Sequence, residues 1–175
     1  MLMLCAGSLA STHAIAAALA GVTRPGDVIV LAGEMGAGKT AFAQGFGAAL
    51  GIEEAITSPT FTLVHSYPIP GAKRHLHHAD LYRLETTNDV DDLALHELAE
   101  FGGIVLIEWG DVATATLGHH LQVRLEPDDE DDEDEGDDGD EFGLDGRRRI
   151  TFEPVGPAWA GRWDRLVTVT EEFAC

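Results

Sequence analysis

The stretch GEMGAGKT, residues 33–40, fits the spacing G-x-x-x-x-G-K-[ST] at Gly33, Gly38, Lys39 and Thr40. Glycines in such a loop let successive backbone N–H groups turn inward and chelate phosphate oxygens. A helix opening directly after the loop adds its positive N-terminal end. A lysine at this position reaches the β- and γ-phosphates of a nucleotide, and the hydroxyl after it ligates Mg²⁺. The nucleotide-binding set read from this stretch is Gly33, Glu34, Met35, Gly36, Ala37, Gly38, Lys39, Thr40 and Ala41. Lys39 and Lys73 are the only lysines in the chain, so the match is not a product of lysine richness.

A second chemistry-bearing stretch is HLHHADLYRL, residues 75–84, which holds His75, His77, His78 and Asp80. All four are competent metal ligands, but strand alternation divides them. His75 and His77 share a face with Ala79, while His78 shares the other with Leu76 and Asp80. The three histidines cannot converge on one metal without a bulge, so His75 and His77 are expected on the surface or on a face turned to a partner. Two carboxylates are better placed for a nucleotide-bound metal. Glu108 closes the apolar run IVLIE, where the magnesium carboxylate of a P-loop protein sits; the bland alternative is a solvent-facing strand-end glutamate. Asp80 ends its own strand, where the bland alternative is a strand-end cap or a partner for Arg83. TSPTF, residues 57–61, lies between the P-loop helix and the next strand, and its Ser58 and Thr60 could sense a γ-phosphate as a switch does. Pro59 biases Ser58 towards extended backbone, and the competing reading is a plain strand-entry turn. Trp109 follows Glu108, and alternation points it to the opposite face; a core or partner-facing place is weighed against stacking on a nucleotide.

The elements that must position these residues are legible in outline. Residues 2–5 read as a short strand, and Ser8 or Ser11 caps a helix running to about residue 20. VIVLAG, 28–33, is a continuous apolar run, as expected of a strand buried on both faces. A helix follows from Gly38 to Leu50, closed by Gly51. Residues 60–67 and 73–82 alternate as strands and, joined by PIPG, form an antiparallel hairpin. Residues 88–101 read as a helix, 103–110 as a second buried strand, and 120–126 and 148–154 as later strands. The expected fold is a three-layer α/β P-loop domain with a mixed sheet, parallel in its centre and antiparallel at its margin, with ligand at the carboxyl ends of the central strands.

Composition narrows the function classes. With 175 residues the chain is read as one domain, 1–175. The net charge of −20 is local: residues 126–141 hold 13 of the 31 acidic residues, leaving 18 against 11 bases. The insertion at 127–146 is expected to be disordered, because so acidic a run buries too little apolar surface to offset its ordering entropy. With so little clustered positive charge, direct sequence-specific nucleic-acid binding is not expected. No apolar run is long enough for a membrane span. Cys5 and Cys175 sit at the extremes of the chain; no disulfide framework is expected, and a cytoplasmic location follows. The nucleotide class is constrained as well. Guanine reading uses N-K-x-D, and the only asparagine is Asn88 in NDVD. A small-molecule kinase is the alternative, but its basic lid has no counterpart in the acidic run.

GEMGAGKT, TSPTFTLVHSY, HADLYRL and IEWGD, in this order and spacing, resemble the bacterial TsaE (YjeE) family over roughly residues 8–125. The resemblance implies a small P-loop ATPase, weakly active and monomeric alone, using ATP and Mg²⁺. Its implied partner is a TsaB–TsaD heterodimer that transfers threonylcarbamoyl to adenosine 37 of ANN-decoding tRNAs, with ATP hydrolysis resetting that complex between turnovers. It implies Lys39, Asp80 and Glu108 as catalytic residues and Thr40, Glu108 and Asp80 around the metal, Glu108 directly or through water. Asp80 would orient the attacking water or the metal's water shell. Thr12 and Arg149 match positions close to the nucleotide base. Beyond residue 126 the acidic run departs from the family pattern, which leaves the pairing of the C-terminal strands open.

Overall fold

The computed structural model describes residues 1–59, 62–82, 94–109, 117–128 and 147–175. The acidic insertion beyond residue 128, Thr60 and Arg83 therefore lie outside the described residues. Seven strands form one mixed sheet: β1 (Leu2–Ala6), β2 (Val28–Ala32), β3 (Val64–Pro68), β4 (His75–Asp80), β5 (Ile104–Glu108), β6 (His120–Pro127) and β7 (Arg148–Val155). Their order is β1-β7-β6-β2-β5-β4-β3. The pairs β6–β2, β2–β5 and β5–β4 are parallel, while β1–β7, β7–β6 and β4–β3 are antiparallel. The expected parallel centre is present, and the antiparallel margin occurs at both edges.

Alternation along the central strands builds two cores, one on each face. Ile29, Leu31, Leu106 and Val123 face one core with helices α1 (Leu9–Val22) and α2 (Lys39–Ala49). Val28, Val30, Val105 and Ile107 face the other with α3 (Leu95–Glu100). The sheet is thus covered on both sides, which is why β2 and β5 carry apolar residues at every position before Glu108. Ser8 caps α1, its hydroxyl accepting from Ser11 N at 3.2 Å. Gly45 lets α1 and α2 approach closely: a Cβ there would lie 2.6 Å from His13 Cα. The helix read over 88–101 is described only from Leu95, after Ala94 in a left-handed conformation.

The segment after β7, to which the sequence offered no pattern, forms a 3₁₀ turn at Pro157–Arg162 and helix α4 (Trp163–Val169). Arg162 anchors it. The guanidinium is buried against the Trp159 ring and makes a two-pronged pair with Asp27, just before β2. A bridge between Leu4 and Ala174 then brings the C-terminus beside β1, where Cys5 and Cys175 form a disulfide. This corrects the expectation of unpaired cysteines: residues 170 apart in sequence become neighbours because β1 and the C-terminal segment share the outer edge.

His77 is also corrected. It is buried rather than on the surface, with its ring against Gly103, where a Cβ would come within 2.6 Å, and with Nδ1 2.8 Å from Ser66 Oγ. Burial pushes its pKa below the ordinary 6.5, and repulsion from His75 adds to the shift. The sign follows directly. The unfolded chain binds this proton more readily, so the stabilisation is full above pH 6.5 and is lost as pH falls through the lower folded value. Urea unfolding between pH 7.5 and 5 should show declining stability, with a shallower slope for His77→Asn. An unchanged slope would remove His77 as the origin.

Candidate functional site

The site forms where the carboxyl ends of β2, β5 and β4 meet the amino end of α2. Parallel register sets Leu31 opposite Glu108 and Glu108 opposite Asp80, so both carboxylates emerge at one level from neighbouring strands. Leaving β2, the chain turns through Gly33 at φ 140° and Gly38 at φ 100°, backbone angles that side chains rarely tolerate. A Cβ on Gly33 would also run into the Leu125 carbonyl of β6. The loop is therefore shaped by its glycines and wedged against the neighbouring strand.

Lys39 and Thr40 open α2. The Lys39 ammonium donates to the carbonyls of Gly33 (2.8 Å) and Glu34 (2.7 Å) and lies 3.8 Å from the centre of the Trp109 ring. Thr40 Oγ1 donates to Glu108, 3.1 Å from Oε1 and 3.4 Å from Oε2. Glu108 is 3% exposed, and its Oε1 also accepts from His78 Nε2 at 2.9 Å. Asp80, equally buried, accepts from Ser58 Oγ at 2.6 Å and from the Tyr82 backbone N–H at 2.9 Å. The strand-end cap weighed for Asp80 is thus present, alongside its position next to Glu108.

These groups surround a cleft of about 320 Å³ lined by Met35, Gly36, Gly38, Lys39, Thr40, Ala41, Ser58, Asp80, Tyr82, Glu108 and Trp109. Most of the residues singled out from sequence therefore converge. Gly33 and Glu34 lie on a neighbouring hollow beyond Trp109 and meet the site through their carbonyls. Ala37 is buried beneath the loop. Thr12 is buried in α1 with its hydroxyl on the Ser8 carbonyl and is not among the lining residues. Arg149 pairs with Asp128 at 2.6 Å. Its neighbour Arg148 reaches the loop instead, with Nε donating to the Ala37 carbonyl at 3.2 Å.

Trp109 packs against the core of Val28, Val30 and Ile107, the side that alternation gives it, and it also lines the cleft, because its backbone turns left-handed at φ 61° directly after Glu108. Tyr82, with its ring centre 5.0 Å from that of Trp109, completes an aromatic wall that periodicity did not reveal. His78, Tyr82 and Arg148 are the site residues missed from sequence. Only His78 carried a signal, since the pattern set it on the Asp80 face.

Among the residues lining the cleft, the Thr40 and Ser58 hydroxyls and the Glu108 and Asp80 carboxylates offer oxygen donors beside the loop. Among the described residues, no group of three or more His, Cys, Asp or Glu side chains could hold a metal by itself. A hard cation completed by substrate oxygens suits this donor set, since Mg²⁺ is commonly held by one or two carboxylates plus phosphates.

Residues 6–135 match the family model described as threonylcarbamoyl adenosine biosynthesis protein TsaE. Among similar proteins named tRNA threonylcarbamoyladenosine biosynthesis protein TsaE, that of Bacillus subtilis is 38% identical over 122 residues, covering 68% of this chain and 75% of the relative. Those of Treponema pallidum (42%) and Streptomyces coelicolor (39%) each align over 53% of this chain and over 66% and 63% of their own lengths, just under two thirds. The crystal structure of Bacillus subtilis YdiB superposes with a TM-score of 0.67 at 29% identity, covering 98% of this chain and 94% of that one. Gly33→Ala should destabilise the fold by about 2 kcal/mol or more, from left-handed strain combined with the clash at Leu125. Wild-type thermal stability in a melting experiment would show that the loop relaxes freely.

Proposed function

Because the chain belongs to the TsaE family of threonylcarbamoyladenosine biosynthesis proteins, we propose that it is the ATP-hydrolysing subunit of that pathway. In this reading it serves the threonylcarbamoyl modification of adenosine 37 in ANN-decoding tRNAs. It acts by ATP-driven resetting of a TsaB–TsaD heterodimer rather than by performing the transfer.

The observation that carries the reading is the Thr40–Glu108 hydrogen bond at the mouth of the glycine loop. Thr40 gives its proton to Glu108, which leaves a hydroxyl lone pair directed away from that bond and available to a cation. Thr40 and Glu108 would hold Mg²⁺ together with the nucleotide, and the ion would supply neutralisation of charge on the β- and γ-phosphate oxygens. The loop N–H groups and the α2 amino end would bind the phosphates. Lys39 carries its charge to the loop mouth, where it would stabilise the transferring phosphoryl group. Asp80, beside Glu108 in register, would orient the attacking water, and Ser58 fixes its carboxylate from the segment before β3. Among the described residues, no helix is long and apolar enough to cross a membrane.

The purified chain should hydrolyse ATP slowly and GTP poorly, and Lys39→Ala should lower turnover by about 100-fold or more. Addition of the cognate TsaB–TsaD pair should raise the rate. Equal turnover of ATP and GTP would sink the ATPase assignment, and phosphate appearing on an added metabolite would point to a kinase. Absence of both co-purification and stimulation would reject the resetting role.

A further inference from the structure

His78 is fully buried in β4, on the same sheet face as Leu76 and Asp80. An imidazole in such a place loses its hydration, and a leucine would fill the space without that loss. Its ring makes one hydrogen bond among the described residues, from Nε2 to Glu108 Oε1 at 2.9 Å, and Nδ1 is buried without a partner. The ring is therefore not explained by a network of its own. Glu108 Oε1 takes two donors, the other being Thr40 Oγ1 at 3.1 Å. The two arrive from different elements, β4 and α2, and together fix the rotation of the carboxylate.

We propose that His78 is a positioning residue for the metal carboxylate: by donating from Nε2 it holds Glu108 in the rotamer that presents the carboxylate to a nucleotide-bound divalent cation. The proposal rests on the ATPase reading above. The physical reason is general. A carboxylate that must rotate into place on binding loses affinity, and partners behind a metal ligand commonly contribute 10–100-fold to metal binding. His78 stands on β4, the strand that also ends in Asp80, so one strand orients Glu108 and supplies the second carboxylate.

The test uses the full chain, with ADP binding followed by calorimetry as Mg²⁺ is titrated and again in EDTA. His78→Leu should raise the half-saturating Mg²⁺ about 10–100-fold, with ADP affinity in EDTA kept within about twofold, as expected of a residue that acts only on the metal side. ATP turnover should recover at high Mg²⁺. His78→Gln, whose amide can donate from a similar place, should restore most of the Mg²⁺ response. If wild type responds to Mg²⁺ and His78→Leu responds equally, His78 is only a core filler and the proposal fails. Equal impairment of the Leu and Gln variants, or parallel loss of ADP affinity in EDTA, would assign the effect to packing and overturn it too. A wild-type chain whose ADP binding ignores Mg²⁺ would instead remove the ATPase reading beneath it.

Discussion

Parallel pairing of β2, β5 and β4 brings Leu31, Glu108 and Asp80 into one row at the carboxyl edge of the sheet. The glycine loop leaves from that row at β2, and α2 returns over it with Lys39 and Thr40 in its first turn. A parallel sheet needs crossover helices, and those helices bury both of its faces. The apolar character of VIVLA and IVLI and the convergence of polar groups at their ends are thus two consequences of one arrangement. Glu108 can be buried because it stands where the strand stops and donors from α2 and β4 meet it.

The polar groups at this edge are costly to bury unless mutually satisfied. Each has named partners: Lys39 on two loop carbonyls and the Trp109 ring, Glu108 between Thr40 and His78, Asp80 between Ser58 and the Tyr82 backbone. These bonds keep the cleft polar and shaped, yet they draw on the same lone pairs and protons that a nucleotide would use. Lys39 in particular holds its own loop carbonyls, so phosphate oxygens would have to compete for its ammonium.

Much of this was legible in sequence, for reasons specific to each element. A strand buried on both faces writes itself as an unbroken apolar run, and the loop's glycines fall where the backbone takes positive φ. The histidine stretch yielded the correct division of faces, since period two is obligatory in β4. Burial did not follow from it. His77 reads as a surface residue until Gly103 is known to press against its ring. Trp109 keeps the core side that alternation gives it, but its place on the cleft wall depends on a left-handed turn that only tertiary surroundings set. The disulfide was invisible because nothing local to residues 5 and 175 records that β1 lies beside the chain's end.

The arginines at the start of β7 show how sharply a site depends on register. Ile150 and Phe152 point into the core beneath α1 and α2, so Arg148 shares their face and reaches Ala37, while Arg149 points away to Asp128. A shift of one residue exchanges these roles completely. The acidic insertion stands directly before this point, so resemblance along the chain could not fix the register, whereas pairing of β7 with β1 and β6 does. The same pairing sets Cys5 opposite Arg149, on the face away from the loop. The disulfide and the Arg149–Asp128 pair thus secure the back of the strand whose front carries Arg148. Through that front face the antiparallel margin of the sheet braces the glycine loop at Ala37, next to the residues that line the cleft.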